Sequence, residues 1–142
     1  WDQVMAVNVK GVWQMSRAVA PLMQAAGAGS IINIASATVL SGSPLWMHYV
    51  ASKGAVIAMS RTMAKELGPD NIRVNVIAPG FTMTEASLAL IENARSYGVD
   101  RAALKRALET DDITGGALFL ASPLSAAMTG QTMVIDGGRQ FI

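Results

Sequence analysis

The stretch SIINIAS, Ser30–Ser36, is short, apolar and rich in β-branched residues, as is typical of a buried strand in a parallel sheet. Two later stretches have the same character: NIRVNVIAPG, with a strand over Ile72–Ala78, and QTMVIDGG near residue 135. Helical periodicity fills most of the sequence between them. Strands that alternate with helices predict βαβ units, so we expect an α/β fold with three parallel strands.

Two long helices flank the first strand. The segment Asp2–Gln24 repeats apolar residues on one helix face, with Gly11 weakening it and Pro21 expected to kink it near its end. The second helix is predicted over Tyr49–Leu67 and is ended by Gly68-Pro69. Its apolar stripe consists of Ala51, Ala55, Met59, Met63 and Leu67.

The rest of the chain is less regular. Residues 37–48 are rich in Gly, Ser and Pro and are predicted to be a loop. The segment Phe81–Glu109 is polar and weakly patterned, with two short helical pieces, and we interpret it as a flap. Asp111 or Asp112 is expected to cap a last helix that ends near Ala121.

Composition excludes several classes of function. The 142 residues are 51% hydrophobic and 15% charged, with a net charge of +1 and no basic cluster, which argues against nucleic-acid binding. Cysteine is absent and His48 is the single histidine, so neither a disulfide nor a metal site is expected. No apolar run reaches the ~18 residues of a membrane span. We therefore expect a cytoplasmic protein without a membrane partner.

Polar side chains follow the strands at their carboxyl ends, where a parallel sheet places its binding site. Ser36 follows the first strand and Pro79-Gly80 follows the second. Tyr49 and Lys53 open the intervening helix, and their i, i+4 spacing puts both on one face. We expect these residues to converge on one crevice.

That set of residues suits proton transfer. A free tyrosine is a poor base at neutral pH, but a lysine cation within about 4–6 Å favours its charged form. A neighbouring serine can hydrogen-bond the oxygen that gains or loses the proton. The set therefore fits a carbonyl or an alcohol substrate, and a redox step on either requires a nicotinamide cofactor to carry the hydride.

Several segments, in order along the chain, resemble the C-terminal portion of the short-chain dehydrogenase/reductases. They are NVKG at Asn8–Gly11, INIAS ending in Ser36, YVASKGAV thirteen residues later, IRVNVIAPGFTMT and FLASPLSAAMTGQTMVIDGG. The chain is similar to the oxoacyl-carrier reductases and the sugar or polyol dehydrogenases of this family. The resemblance implies part of a Rossmann-like, doubly wound parallel sheet that binds NAD or NADP and acts on a ketone or secondary alcohol.

The resemblance also implies a role for each site residue. Tyr49 would be the general acid/base, Lys53 would stabilise its phenolate and hold the nicotinamide ribose, Ser36 would orient the substrate oxygen, and Asn8 would hold a relay water linked to Lys53. The implied cofactor contacts are Tyr49, Lys53, Pro79, Gly80, Thr82 and Thr84. The implied substrate contacts are Ser36, Thr38, Trp46 and Phe81.

The sequence departs from the family in one respect. It has no Gly-x-Gly-x-x-Gly between a strand and a helix, and Gly27-Ala28-Gly29 precedes a strand and lacks the third glycine. We therefore expect residues 1–142 to be the C-terminal part of a single domain whose dinucleotide-binding half is missing. The alternative is a truncated, inactive half-domain that serves only as an association module. In either case the helices Asp2–Gln24 and Tyr49–Leu67 are expected to form a homodimer or homotetramer.

Overall fold

Three parallel strands form one sheet in the computed structural model, which describes residues 1–141. The strands are β1 (Gly29–Ile34), β2 (Ile72–Pro79) and β3 (Thr132–Ile135), in the order β1-β2-β3. Each strand pairs in parallel with its neighbour, with Ile34 opposite Ile77 and Pro79 opposite Ile135. The predicted α/β fold is confirmed, and all three strands end at the same edge of the sheet.

Helices account for most of the remaining chain. The α-helices are α1 (Asp2–Met5), α2 (Gly11–Ala26), α3 (Thr38–Ser41), α4 (Met47–Leu67), α5 (Glu85–Leu90) and α6 (Thr110–Ala121). A π-helical segment, Ala6–Lys10, joins α1 to α2 without a break. Short 3₁₀ turns span Gly68–Asp70, Ala94–Ser96, Val99–Arg101 and Pro123–Ser125.

The helices cover both faces of the sheet. Alternate residues of β1 point to opposite faces. On one face, Asn33 Nδ2 donates to Ser60 Oγ of α4 at 2.9 Å. On the other face, Ser30 Oγ donates to the carbonyl of Leu120, in α6, at 2.8 Å. The core between β1, β2 and α4 contains the buried residues Ile31, Ala35, Val56, Ala64, Val74 and Val76.

The structure corrects the face that α4 presents to the sheet. Its buried residues are Ser52, Val56, Ile57, Ser60 and Ala64. The predicted stripe contributes only at its far end, where Met59, Met63 and Leu67 are half-buried, while Ala51 is exposed. Both faces of α4 carry small or apolar residues, so periodicity did not distinguish them.

Several predicted boundaries also shift. β1 ends at Ile34 rather than at Ser36, and α4 begins at Met47 rather than at Tyr49. The predicted loop 37–48 contains α3 and the first residues of α4. The first helix runs to Ala26, five residues beyond Pro21.

The residue that caps α6 differs from the predicted one. Glu109 is the N-cap, and Asp112 Oδ2 accepts a hydrogen bond from the Glu109 backbone N–H at 2.8 Å. Asp111 and Asp112 therefore lie inside the first turn. This is the reciprocal half of a capping box, in which a side chain three residues into the helix reaches back to the cap.

β1 lies at one end of the strand order, so its outer edge faces away from β2. Among residues 1–141, β1 pairs only with β2, and Ala35 N–H donates to Ile77 O across that pair at 2.8 Å. The C=O and N–H of a trans peptide point in opposite directions, so the Ile34 C=O faces the outer edge.

Across the described residues, none of the helices combines the length and apolar character that crossing a membrane requires.

Candidate active site

Ser36 lies just beyond the end of β1, in a tightly fixed backbone. The flanking amides of Ala35 and Ala37 donate to Ile77 O and Pro79 O at 2.8 and 2.9 Å. The residue is 7% exposed. Its hydroxyl oxygen accepts two hydrogen bonds from Thr38, one from the backbone N–H at 3.2 Å and one from Oγ1 at 2.9 Å. Ser36 is therefore held at the carboxyl edge of the sheet by both its backbone and its side chain.

Tyr49 and Lys53 lie one turn apart near the start of α4. Lys53 Nζ is 5.7 Å from the centroid of the Tyr49 ring and donates to Ile34 O at 3.0 Å. Burial lowers the pKa of the Lys53 ammonium below its ordinary value of 10.5, because desolvation disfavours the charged form. Lys53 thus connects the tyrosine to the end of β1 that carries Ser36.

Asn8 lies in the π-helical segment and is tied to α4 through a serine. Its Nδ2 donates to Ser52 Oγ at 3.0 Å, and Ser52 Oγ in turn donates to Tyr49 O at 2.7 Å. Ser52 is fully buried. Single-turn π segments are frequent at functional sites. The side-chain contact of Asn8 is thus with Ser52, and its link to Lys53 through a water stays a prediction.

Ser52 is a site residue that sequence reasoning missed. It lies within YVASK, directly before Lys53, and its hydrogen bonds reach both Asn8 and the backbone of Tyr49. The available signal was its position on the α4 face three residues after Tyr49. A serine inside a helix usually bonds the backbone of the preceding turn, so it did not stand out.

The loop after β2 follows the edge of the sheet. Gly80 N–H donates to Ile135 O at 2.8 Å, and a Cβ at Gly80 would lie 2.9 Å from Asp136 Cα. Glycine is therefore required for the close approach of β2 to the end of β3. Thr82 Oγ1 donates to Gly80 O at 3.1 Å, and Thr84 Oγ1 accepts from Ser87 N–H at 3.2 Å as the N-cap of α5.

The predicted substrate contacts fall into two groups. Thr38 bonds Ser36, and the Trp46 and Tyr49 rings pack in a T-shaped arrangement with their centroids 6.0 Å apart. Phe81 instead packs against Tyr97 of the flap, with ring centroids 4.8 Å apart. Thr38 and Trp46 therefore flank the serine and tyrosine, while Phe81 links the loop after β2 to the flap.

The arrangement brings a hydroxyl, a phenol and an ammonium group to one edge of the sheet. Such a set can hold an oxygen atom and move a proton to or from it. Within residues 1–141 there is no group of three or more His, Cys, Asp or Glu side chains positioned to hold a metal ion. The chemistry available to these side chains is proton transfer and hydrogen bonding.

Known proteins share this sequence and fold. The family described as enoyl-(acyl carrier protein) reductase matches residues 1–140. A probable galactose dehydrogenase from Rhizobium meliloti (strain 1021) is 46% identical over 140 residues, which are 97% of this chain and 55% of that protein. A 3-oxoacyl-[acyl-carrier-protein] reductase from Thermotoga maritima is 44% identical over 138 residues, which are 97% of this chain and 56% of that protein.

Solved structures agree with the sequence relatives. A gluconate 5-dehydrogenase from Burkholderia cenocepacia J2315, crystallised in complex with NADP and tartrate, superposes with a TM-score of 0.92 at 36% identity. The superposition covers 98% of this chain and 55% of that one. The chain thus spans little more than half the length of the proteins it matches.

Proposed function

This chain belongs to the short-chain dehydrogenase/reductase family, and we propose that it carries the proton-transfer residues of an NAD(P)-dependent oxidoreductase acting on a ketone or secondary alcohol. The observation that carries the proposal is the position of Lys53 Nζ. It lies 5.7 Å from the Tyr49 ring centroid and bonds Ile34 O, two residues before Ser36. One ammonium group therefore joins the phenol to the strand end that bears the serine.

In the reducing direction, Tyr49 Oη gives its proton to the carbonyl oxygen while Ser36 holds that oxygen by a hydrogen bond. When bound, the nicotinamide cofactor supplies hydride to the carbonyl carbon. The resulting Tyr49 phenolate is stabilised by the Lys53 cation and is then reprotonated from solvent. In the oxidising direction the phenolate removes the alcohol proton, and Ser36 again bonds the oxygen.

Lys53 and the loop after β2 fit the nicotinamide end of the cofactor. Lys53 Nζ has three N–H groups, of which Ile34 O accepts one, so two remain for the nicotinamide ribose and the relay water. The loop Pro79–Thr84 follows the same sheet edge, where the Thr82 backbone would lie near the carboxamide and Thr84 near the carboxamide or the diphosphate. The Burkholderia relative, crystallised with NADP, supports a nicotinamide cofactor for this chain.

The adenosine end of the cofactor has no counterpart in this sequence, which lacks a glycine-rich diphosphate loop. We propose that residues 1–142 form the C-terminal part of a larger Rossmann-like domain and that its other half binds the diphosphate. The relatives are nearly twice as long as the matched region, which supports this proposal. No residue of the present chain is assigned to the adenosine half.

Asn8 and three other residues complete the proposed site. Asn8 would hold a water that links Lys53 to solvent, and its hydrogen bond to the buried Ser52 would keep it in place. The substrate would contact Thr38, Trp46 and Phe81 as well as Ser36. The relatives are named for galactose, gluconate and 3-oxoacyl substrates, so we infer a small carbonyl or alcohol compound of one of these kinds.

A second copy of the chain is the proposed partner. α2 and α4 leave a groove between them, lined by Trp13, Ala20, Ala58, Met59 and Met63, among others. Trp13 is 43% exposed and Met15 is 66% exposed on the same helix. Apolar side chains exposed along a groove between two helices are typical of interaction sites. We propose that α2 and α4 pair with their copies in a homodimer or homotetramer.

The same groove favours an alternative function. A chain that keeps the apolar helices and lacks the glycine loop could act only as an association module. That module would form an oligomer through α2 and α4 and would bind no dinucleotide.

Titration with reduced NAD and NADP separates the two functions. Intrinsic tryptophan fluorescence reports on the site, because the Trp46 ring lies 6.0 Å from the Tyr49 ring, and the unsubstituted chain keeps Trp13 in the α2–α4 groove. We expect quenching and turnover of a ketone in the complete polypeptide that contains residues 1–142, and weak quenching in residues 1–142 alone. If the complete polypeptide forms a stable oligomer but neither quenches nor turns over, the association module is the correct function.

A further inference from the structure

We infer that Thr38 is a positioning residue that restricts Ser36 to the role of hydrogen-bond donor. The inference rests on the proposed function and concerns whether one hydroxyl group donates or accepts a hydrogen bond at the substrate. Thr38 lies two residues after Ser36, at the first position of α3.

Two hydrogen bonds join Thr38 to Ser36. Thr38 donates to Ser36 Oγ from its backbone N–H at 3.2 Å and from Oγ1 at 2.9 Å. A serine hydroxyl has one proton to donate and two lone pairs that can accept. Thr38 therefore occupies both acceptor positions of Ser36. Within residues 1–141 the Ser36 hydroxyl donates to no group, so its proton is available to a substrate.

The surroundings prevent Ser36 from adopting another arrangement. The residue is 7% exposed, and the amides on either side of it are bonded to Ile77 O and Pro79 O of β2. Ser36 O also accepts from Val39 N–H at 3.2 Å as α3 begins. Since the backbone and the acceptor lone pairs are both fixed, the orientation of the hydroxyl is fixed as well.

A donor-only serine suits both directions of the proposed reaction. A carbonyl oxygen can only accept, so it takes the proton of Ser36 Oγ in a hydrogen bond while Tyr49 transfers its own proton to the same oxygen. In the reverse direction the alcohol oxygen accepts from Ser36 and its proton has a single destination, the Tyr49 phenolate. Thr38 thus prevents Ser36 from competing with Tyr49 for the substrate proton.

The test compares Thr38→Val with Thr38→Ser in the complete polypeptide. Valine keeps the shape and the backbone N–H but removes the hydroxyl donor, and serine restores the donor. We expect Thr38→Val to lower kcat about tenfold, the scale of one hydrogen bond, with little change in KM for the cofactor. Thr38→Ser should return kcat to within about threefold of the wild type. Thr114→Val, an exposed change of the same kind on α6, should leave kcat unchanged.

A double-mutant cycle with Ser36→Ala gives the decisive readout. If Thr38 acts through Ser36, Thr38→Val has no further effect on kcat in the Ser36→Ala background. If the two losses multiply, the Thr38 hydroxyl acts independently of Ser36 and the inference is wrong. It is also wrong if Thr38→Val and Thr38→Ser are equally impaired. Thr38→Ala removes the same hydroxyl without a β-branched side chain and serves if Thr38→Val folds poorly.

The cycle also separates this inference from the proposed function. A Ser36→Ala variant with full turnover would refute the proposed role of Ser36 and, with it, the inference. A Ser36→Ala variant with low turnover beside an unimpaired Thr38→Val variant would refute the inference alone.

Discussion

The segment from β1 through α4 and the flap 81–109 both border the candidate site, but they are held in place by different kinds of contact. In the first, buried strand pairing and a buried helix face fix Ser36, Tyr49 and Lys53. In the flap, α5 has six residues and each 3₁₀ turn has three. Its ion pair Arg95–Glu109 is solvent-exposed.

The difference indicates a division of roles between the two regions. Groups that transfer a proton need positions fixed to within a fraction of an ångström, and the sheet supplies them. The flap buries Met83, Ala94, Ala102 and Leu108, but its helical elements are short and mostly exposed, so we expect it to open at lower cost than the region around the sheet. We therefore expect changes around Tyr49 to abolish chemistry, and changes in the flap to alter local stability and substrate affinity.

The two tyrosines of the chain provide the strongest test of this comparison, because Tyr49 lies on α4 and Tyr97 lies in the flap. Tyr49→Phe removes the phenol that donates the proton. We expect turnover by the complete polypeptide to fall about a hundredfold or more, since general acid–base catalysis contributes ~10²–10⁴-fold. Cofactor affinity should change little, as measured by fluorescence titration.

Tyr97→Phe is the matched control, since it keeps the ring that packs on Phe81 at 4.8 Å. It should retain nearly full kcat. Equal losses in the two variants would show that the site extends into the flap and that the comparison is mistaken.

Two lysines of α4 give the second test. Lys53 is half-buried beside Tyr49, whereas Lys65 is exposed three turns further along. Lys53→Met should lower kcat and weaken cofactor binding, each by about tenfold or more, because one ammonium serves both the phenolate and the ribose. Lys65→Met should change neither quantity. Unchanged cofactor affinity in Lys53→Met would remove the ribose contact from the proposal.

Two serines distinguish the regions at the level of single hydrogen bonds. Ser52 is fully buried and joins Asn8 to Tyr49 O, while Ser87 bonds Thr84 at the exposed start of α5. Ser52→Ala should reduce the free energy of unfolding by about 1–3 kcal/mol, because it leaves buried polar partners unpaired. Ser87→Ala should cost less than about 0.5 kcal/mol. Urea unfolding of both variants measures the difference, and similar losses would contradict it.

The sequence predicted most of the region that the sheet organises. Parallel strands are continuous apolar runs, and the i, i+4 spacing of Tyr49 and Lys53 places them together on any helix. Both signals are local, so they can be read without the fold. The contact between Thr38 and Ser36 is equally local, but the hydrogen bond from Lys53 to Ile34 O joins a helix to a strand 19 residues earlier and depends on the fold.

Other features depend on partners distant in sequence or on small differences in backbone energy. Ser52 meets Asn8 across 44 residues, and a serine in a helix gives no sign of such a partner. The π-helical segment at Ala6–Lys10 has no distinctive composition. At the start of α6 the sequence favours Asp111 or Asp112 as the cap, because aspartate is a preferred N-cap residue, whereas the structure uses Glu109 and Asp112 completes the capping box.

The smallest expected effect concerns the junction between the flap and α6. Arg106 Nη2 donates to Asp112 Oδ1 at 2.7 Å, and Arg106 Nη1 bonds Oδ2 of the same carboxylate. The hydrogen bond from Arg106 lowers the pKa of Asp112 from 3.8 to about 2, with the Glu109 N–H contributing further. Because the folded-state pKa is lowered, the stabilising contribution is complete above pH 3.8 and is lost as the pH falls toward about 2.

Asp112→Asn should therefore destabilise the chain slightly and by a constant amount above pH 3.8, and the gap from the wild type should close as the pH falls toward about 2. The effect is small because the ion pair is partly exposed to solvent, and added salt should reduce it further. Urea midpoints of both proteins across this pH range measure the gap. Amide exchange of residues 94–108 should be faster in the variant. Turnover at neutral pH, which depends on Tyr49, should stay within about twofold of the wild type. A large loss of turnover would mean that the flap is coupled to the proton-transfer residues through α6, and that the two regions act as one unit rather than as a fixed site with a separate cover.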